Sequence, residues 1–284
     1  MVDNVFRIKT NKPGKTVTIM GGVHGNEVCG VSVVGEFSKK LKINRGIVNL
    51  IIGNPKAVVA NTRHVEMNLN RAFLGLSCLT KAQRATYESK RAKEIMPYLK
   101  ESDALLDIHS SGTPGSVPFI ICEEHSYEVV KYLPFKIVTS GWDNLEPGAT
   151  DGFVNKNGGQ GICVECGHHD DPKAIETARK TAMVFLWLLG IKGKPKNFST
   201  VRQTFVKMWH IHITKNNFEL SRNFKDFEKI KKGTLIGADG SKKIKAPKDC
   251  YILFARNRQS AGEEAFLLGE LVNNRQTKTL KVVT

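Results

Sequence analysis

The chain has 284 residues, enough for one large and one smaller domain, each burying its own core. Its apolar fraction of 40% and charged fraction of 25% match an ordinary globular protein and exclude a disordered or fibrous one. The net charge of +16 points toward acidic partners, but the densest basic run, Lys225 to Lys248, is interrupted by Asp226, Glu228, Gly233 and Asp239. With no nucleic-acid motif beside it, the charge reads as a solvated surface, and a nucleic-acid partner is not expected.

The opening stretch, MVDNVFRIKTNKPGK, has no apolar signal-peptide core. No later run reaches the roughly 18 apolar residues of a membrane span. A cytoplasmic protein without a membrane partner is the expectation. The cysteines at 29, 78, 122, 163, 166 and 250 are scattered through a long chain, which suits reduced thiols better than a disulfide framework.

Taken in order, Thr16 to Gly21 reads as a buried strand that ends in Gly-Gly, with a helix opening at Asn26 or Glu27. Gly46 to Gly53 is a second strand, closed by Asn54-Pro55. Thr80 with Gln83 forms a capping box, and the helix formers that follow predict one long helix through Lys100. Short strands are predicted at Ala104 to Ile108, Phe119 to Cys122, Lys136 to Thr139 and Gly161 to Cys166, and a helix from Pro172 to Leu189. Alternating strands and helices imply an α/β domain with a largely parallel sheet, whose reactive loops gather beyond the strands' carboxyl ends.

After Gly190 to Pro195 the pattern changes to short apolar runs at Thr204 to Met208, Ile211 to Thr214, Tyr251 to Ala255 and Ala265 to Leu268, divided by Gly-rich turns. We therefore divide the chain into a catalytic domain, residues 1–194, and a smaller all-β C-terminal domain, residues 195–284.

Three side chains suggest a metal site. His24 and Glu27 lie three residues apart in Gly21-Gly-Val-His-Gly-Asn-Glu27, a loop directly after a strand. His109, in Asp107-Ile-His-Ser-Ser-Gly112, stands at another strand end and is the candidate third ligand. Two histidines, a glutamate and a water make the open coordination of a catalytic zinc, whereas a structural zinc closes its fourth position with Cys or His. Asn68-Leu-Asn70-Arg71 adds an amide and a guanidinium suited to gripping a carboxylate.

These residues resemble the succinylglutamate desuccinylase and aspartoacylase family, related to the zinc carboxypeptidases, over nearly the whole chain. The resemblance implies a zinc-carboxypeptidase-like, mostly parallel sheet flanked by helices, and one Zn²⁺ per chain on His24, Glu27 and His109. Asn54-Pro55, Arg63 and Asn68 to Arg71 look like the family's Asn-Pro, Arg and Asp-Leu-Asn-Arg elements, with Asn68 replacing the leading Asp. The family's Glu-x-Gly strand end falls on Glu165. By that resemblance Glu165 would be the general base and acid, Arg63 would polarise the scissile carbonyl, and Asn70 and Arg71 would hold the substrate carboxylate. The implied reaction is hydrolysis of a small N-acyl amino acid by Glu165-assisted attack of a zinc-bound water.

The pattern departs from the aspartoacylases in two places. No Arg occurs in Asn155 to Gly159, where they bind the substrate's side-chain carboxylate; Lys156 is the one cation there. A family Tyr is also absent from Gln259 to Phe266, which near that place holds Ser and Ala. Alternatives are a zinc carboxypeptidase or peptide amidase and, from another class, a non-catalytic basic binding protein. A homo-oligomer stays open. His64, His168 and His169 receive no role, and the Cys163/Cys166 pair points to opposite faces of a strand, with Cys163 sharing its face with Glu165.

Overall fold

The computed structural model describes residues 4–75, 78–113, 115–196 and 198–272. Three parallel strands form its centre: β2 (Thr16–Gly21), β4 (Ala104–Ser111) and β7 (Gln160–His168). β3 (Ile47–Ile52) extends this parallel set beside β2, and β1 (Val5–Lys9) closes that edge antiparallel to β3. On the other side β5 (Phe119–Cys122) runs antiparallel to β7, and β6 (Ile137–Ser140) runs parallel to β5.

The sheet does not stop there. β8 (Thr204–Ile213) pairs parallel with β6, and β14 (Glu264–Leu271), β13 (Cys250–Leu253) and β10 (Glu228–Ile230) follow antiparallel, making eleven strands. A second sheet holds β9 (Phe218–Leu220), β11 (Leu235–Asp239) and β12 (Lys242–Lys245). The architecture is thus a mixed, mostly parallel central sheet flanked by helices, with an antiparallel C-terminal region.

Strand alternation divides the core between the two faces. Ala104, Leu106 and Ile108 of β4, with Ile162, Val164 and Cys166 of β7, pack against α1 (Val28–Lys40) and α8 (Pro172–Leu188). Met20 and Leu105 join Ile95 and Leu99 of α4 (Tyr87–Lys100) and Val154 of α7 (Thr150–Lys156) on the other face. Asp107, His109, Cys163 and Glu165 occupy the remaining positions of that second face.

Two expectations are corrected. The helix foreseen over 80–100 is two helices, α3 (Lys81–Ala85) and α4, because Thr86 adopts an extended backbone and its hydroxyl accepts the Ser89 N–H at 3.2 Å, so it caps the second helix. The capping box of Thr80 and Gln83 is present. The strands foreseen at 204–208 and 211–214 are one strand, β8, with an irregular register against β14 between Leu268 and Gly269.

Candidate functional site

The site gathers beyond the carboxyl ends of β2, β4 and β7. His24 lies in the loop between β2 and α1, and tight packing dictates that loop's glycines. A Cβ on Gly25 would fall 2.0 Å from the Ala57 carbonyl carbon in α2 (Pro55–Ala60), and Gly22 has a φ of +68°. Glu27 is the residue just before α1. His109 and Glu165 are register partners on β4 and β7, so adjacency in the sheet brings them together.

A third segment is held in place by one buried carboxylate. Glu88 of α4 is fully buried and accepts the backbone N–H groups of Val65 (2.7 Å) and Met67 (3.1 Å) together with the Asn54 amide (3.1 Å). That carboxylate fixes the loop carrying Arg63 and the turn Leu69–Arg71.

His24, Glu27 and His109 are all buried, and their ligand atoms lie within 4.8 Å of one another, which makes the trio able to hold a metal ion. His24 Nδ1 is 2.7 Å from Glu27 Oε1, and His109 Nδ1 is 2.7 Å from Glu27 Oε2. The outer nitrogen of each ring faces an oxygen: His24 Nε2 lies 3.1 Å from Asn68 Oδ1, and His109 Nε2 3.1 Å from Asp107 Oδ2. Two rings with Nδ1 turned to a shared carboxylate and an oxygen near each outer nitrogen, that of His109 at ion-pair distance without a hydrogen bond, form the donor arrangement of a histidine–carboxylate metal site.

The electrostatics agree. Burial lowers the His24 pKa to about 4, which keeps its ring neutral. Burial also pushes Glu27 upward, but the two histidines outweigh it and hold Glu27 well below the ordinary carboxylate range. For His109 burial acts downward, yet Asp107, Cys163 and Glu27 raise it well above its usual value. Burial first, then the Glu27 charge, raises Glu165 to about 8, and Glu165 Oε2 is buried without a hydrogen-bond partner. A carboxyl group poised near neutrality in a cavity can both take and return a proton.

One cavity is lined by His24, Glu27, Arg63, Asn70, Arg71, His109 and Glu165, so these seven candidates from the sequence reach one space. Arg63 Nη1 lies 3.4 Å from Glu27 Oε1. Asn70 Oδ1 accepts the Thr150 N–H at 3.1 Å, while Arg71 Nη2 contacts both Glu146 (2.8 Å) and Glu264 (2.6 Å). Cys163 shares the cavity, whereas Cys166 packs in the opposite core. His169 Nδ1 lies 2.9 Å from Ser110 Oγ, and neither it nor His168 lines the cavity. Cys29, Cys122, Cys163, Cys166 and Cys250 are free thiols.

The sequence did not reveal Trp142, Glu146, Arg256 and Glu264 as lining residues. Glu264 lies in the very stretch that was read as offering only Ser and Ala; its approach depends on β14 joining the main sheet, which no local pattern encodes. Lys156 is exposed and lines no part of the cavity.

The family model of the succinylglutamate desuccinylase/aspartoacylase catalytic domain matches residues 13–186. A succinylglutamate desuccinylase of Pseudoalteromonas atlantica is 25% identical over 90% of this chain and 81% of its own. The aspartoacylase of Rattus norvegicus is 36% identical, but over only 34% of this chain and 33% of its own. The crystal structure of succinylglutamate desuccinylase from Vibrio cholerae superposes with a TM-score of 0.78 at 17% identity, covering 95% of this chain and 86% of that one, which is a likeness of fold. Among the described residues no helix is long and apolar enough to cross a membrane.

Proposed function

The chain belongs to the succinylglutamate desuccinylase/aspartoacylase family, and from that premise we propose that it is a zinc-dependent hydrolase cleaving the amide bond of an N-acyl amino acid. The observation that carries this reading is the meeting, in one cavity, of the buried His24, Glu27 and His109 group with a Glu165 carboxyl raised to about 8. We assign the reaction to residues 1–194 and regard 195–284 as an all-β appendage that adds lining residues, in a cytoplasmic enzyme.

Zinc held by His24, Glu27 and His109 would polarise the amide carbonyl and lower the pKa of water. Glu165 takes a proton from the attacking water and returns it to the departing amine, two transfers that a group titrating near neutrality can perform in turn. Arg63, placed beside Glu27, donates to the carbonyl oxygen as negative charge builds there. Asn70 and Arg71, which line the same cavity, orient the amino-acid portion. Water adds across the C–N bond, and a carboxylate and a free amine leave.

The test is amine release from a panel of N-acyl amino acids by the full chain, before and after chelation and after zinc is restored. Activity should vanish with the metal and return with it. Turnover that survives complete metal removal would sink the proposal.

A further inference from the structure

The cavity wall carries more negative charge than the proposed reaction uses. Arg71 is already matched by two carboxylates, Glu146 and Glu264, at 2.8 and 2.6 Å. Adjoining the same wall is a narrow recess lined among others by Asn70, Trp142, Asp143, Glu146 and Asp151. Asp151 is only 6% exposed, and its side chain lines that recess.

Among the described residues, no Lys, Arg or His lies within ion-pair distance of Asp143 or Asp151, and the Asp151 carboxylate is met by the Gly152 backbone N–H and by no side chain. Asp143 accepts one bond, from the Asn155 amide at 3.0 Å. Burial, reinforced by Asp143 and Asp107, raises Asp151 to about 7, which registers how poorly its charge is compensated.

A buried carboxylate without a cation costs stability, and its presence in a hollow that opens toward a reactive centre calls for a ligand that supplies the cation. Trp142 lines both the recess and the main cavity, and its indole N–H is already given to Thr139 Oγ1 at 2.8 Å. An aromatic surface beside carboxylates is a setting that attracts ammonium groups.

We infer that the recess receives the side-chain ammonium of the substrate, so that the preferred substrate is an N-acylated diamino acid of the ornithine or lysine type. This rests on the amide-hydrolase reading above. The ammonium sits between Asp143 and Asp151, with Glu146 shared between it and Arg71. Arg256, which lines the main cavity without an acidic partner within 4 Å among the described residues, is the cation left for the α-carboxylate.

The experiment measures kcat/KM of the zinc-loaded full chain on Nα-acetyl-L-ornithine, Nα-acetyl-L-lysine, N-acetyl-L-methionine, N-acetyl-L-aspartate and N-acetyl-L-glutamate. At least one diamino substrate should exceed both acidic ones more than tenfold and the neutral one severalfold. Asp151→Asn should cut the ratio of diamino to neutral substrate about tenfold. A preference for acidic substrates, or equal rates on neutral and diamino ones, overturns the inference while leaving the hydrolase intact. If none is cleaved the hydrolase reading falls, and calorimetry then decides the recess: tighter binding of Nα-acetyl-L-ornithine than of N-acetyl-L-aspartate supports it, and equal or weaker binding overturns it.

Discussion

One cavity has two walls of different construction. The wall with His24, Glu27, His109 and Glu165 rests on three neighbouring parallel strands, with His109 and Glu165 as direct register partners. The second wall, with Arg71, Glu146 and Glu264 and with Asp151 in the adjoining recess, is gathered from a turn, the end of the short helix α6 (Trp142–Leu145), α7 and a strand 193 positions away from Arg71. The first wall is held by the main-chain ladder of the sheet, the second by ion pairs between distant segments. Chemistry assigned to the first is therefore rigid, while substrate choice assigned to the second can change through a few side chains.

The sharpest way to break this contrast is Glu165→Gln. It should lower kcat by about 10²- to 10⁴-fold, as loss of a general base and acid does, while zinc content by elemental analysis stays at one per chain. An equal loss of metal would move Glu165 into the metal-binding group and erase its separate role.

A smaller effect is expected at Asp107, whose carboxylate lies 3.1 Å from His109 Nε2. Asp107→Asn should weaken zinc affinity about 10- to 100-fold in a competition assay, as removal of outer partners of metal-binding histidines does. Unchanged affinity would mean that the sheet alone orients the ring.

The smallest effect concerns the second wall. Asp151 titrates at about 7 in the folded protein against an ordinary value of 3.8, so between those values the folded state holds the proton that the unfolded state has lost. Its contribution therefore falls as pH rises from about 4 to about 7. Asp151→Asn should remove that decline and raise the thermal midpoint at pH 8 by several degrees relative to pH 5, with denaturation curves at both pH values as the check. A variant less stable than its parent at pH 8 would show that the carboxylate is compensated within the fold.

The same contrast explains what the sequence disclosed. β2, β3, β5 and α8 were legible because buried strands and helices write apolar runs of fixed length, and the His24 loop because glycines and ligands lie within seven residues. β1 and β12 were missed because they are partly exposed edge segments, VFRIK and KKIK, whose charged residues dilute the apolar signal. Glu264 and Arg256 were missed because only the order of strands in the sheet brings Glu264 to Arg71 and Arg256 into the same cavity. Spacing reports local neighbours and is silent about partners chosen by topology.

The pairing of β6 with β8 has a consequence for the molecule as a solute. Over Ile137–Ser140 the main chain of β6 is covered by Thr204 to Lys207, and a Cβ on Gly141 would come within 2.4 Å of the Met208 carbonyl oxygen. Without that cover, β6 would offer a row of free donors and acceptors to any other strand, the usual start of edge-to-edge aggregation. The C-terminal strands thus act as a guard rail on an open sheet before they contribute anything to a substrate. A chain cut near residue 195 would bare that edge of β6 and lose Glu264 from the second wall.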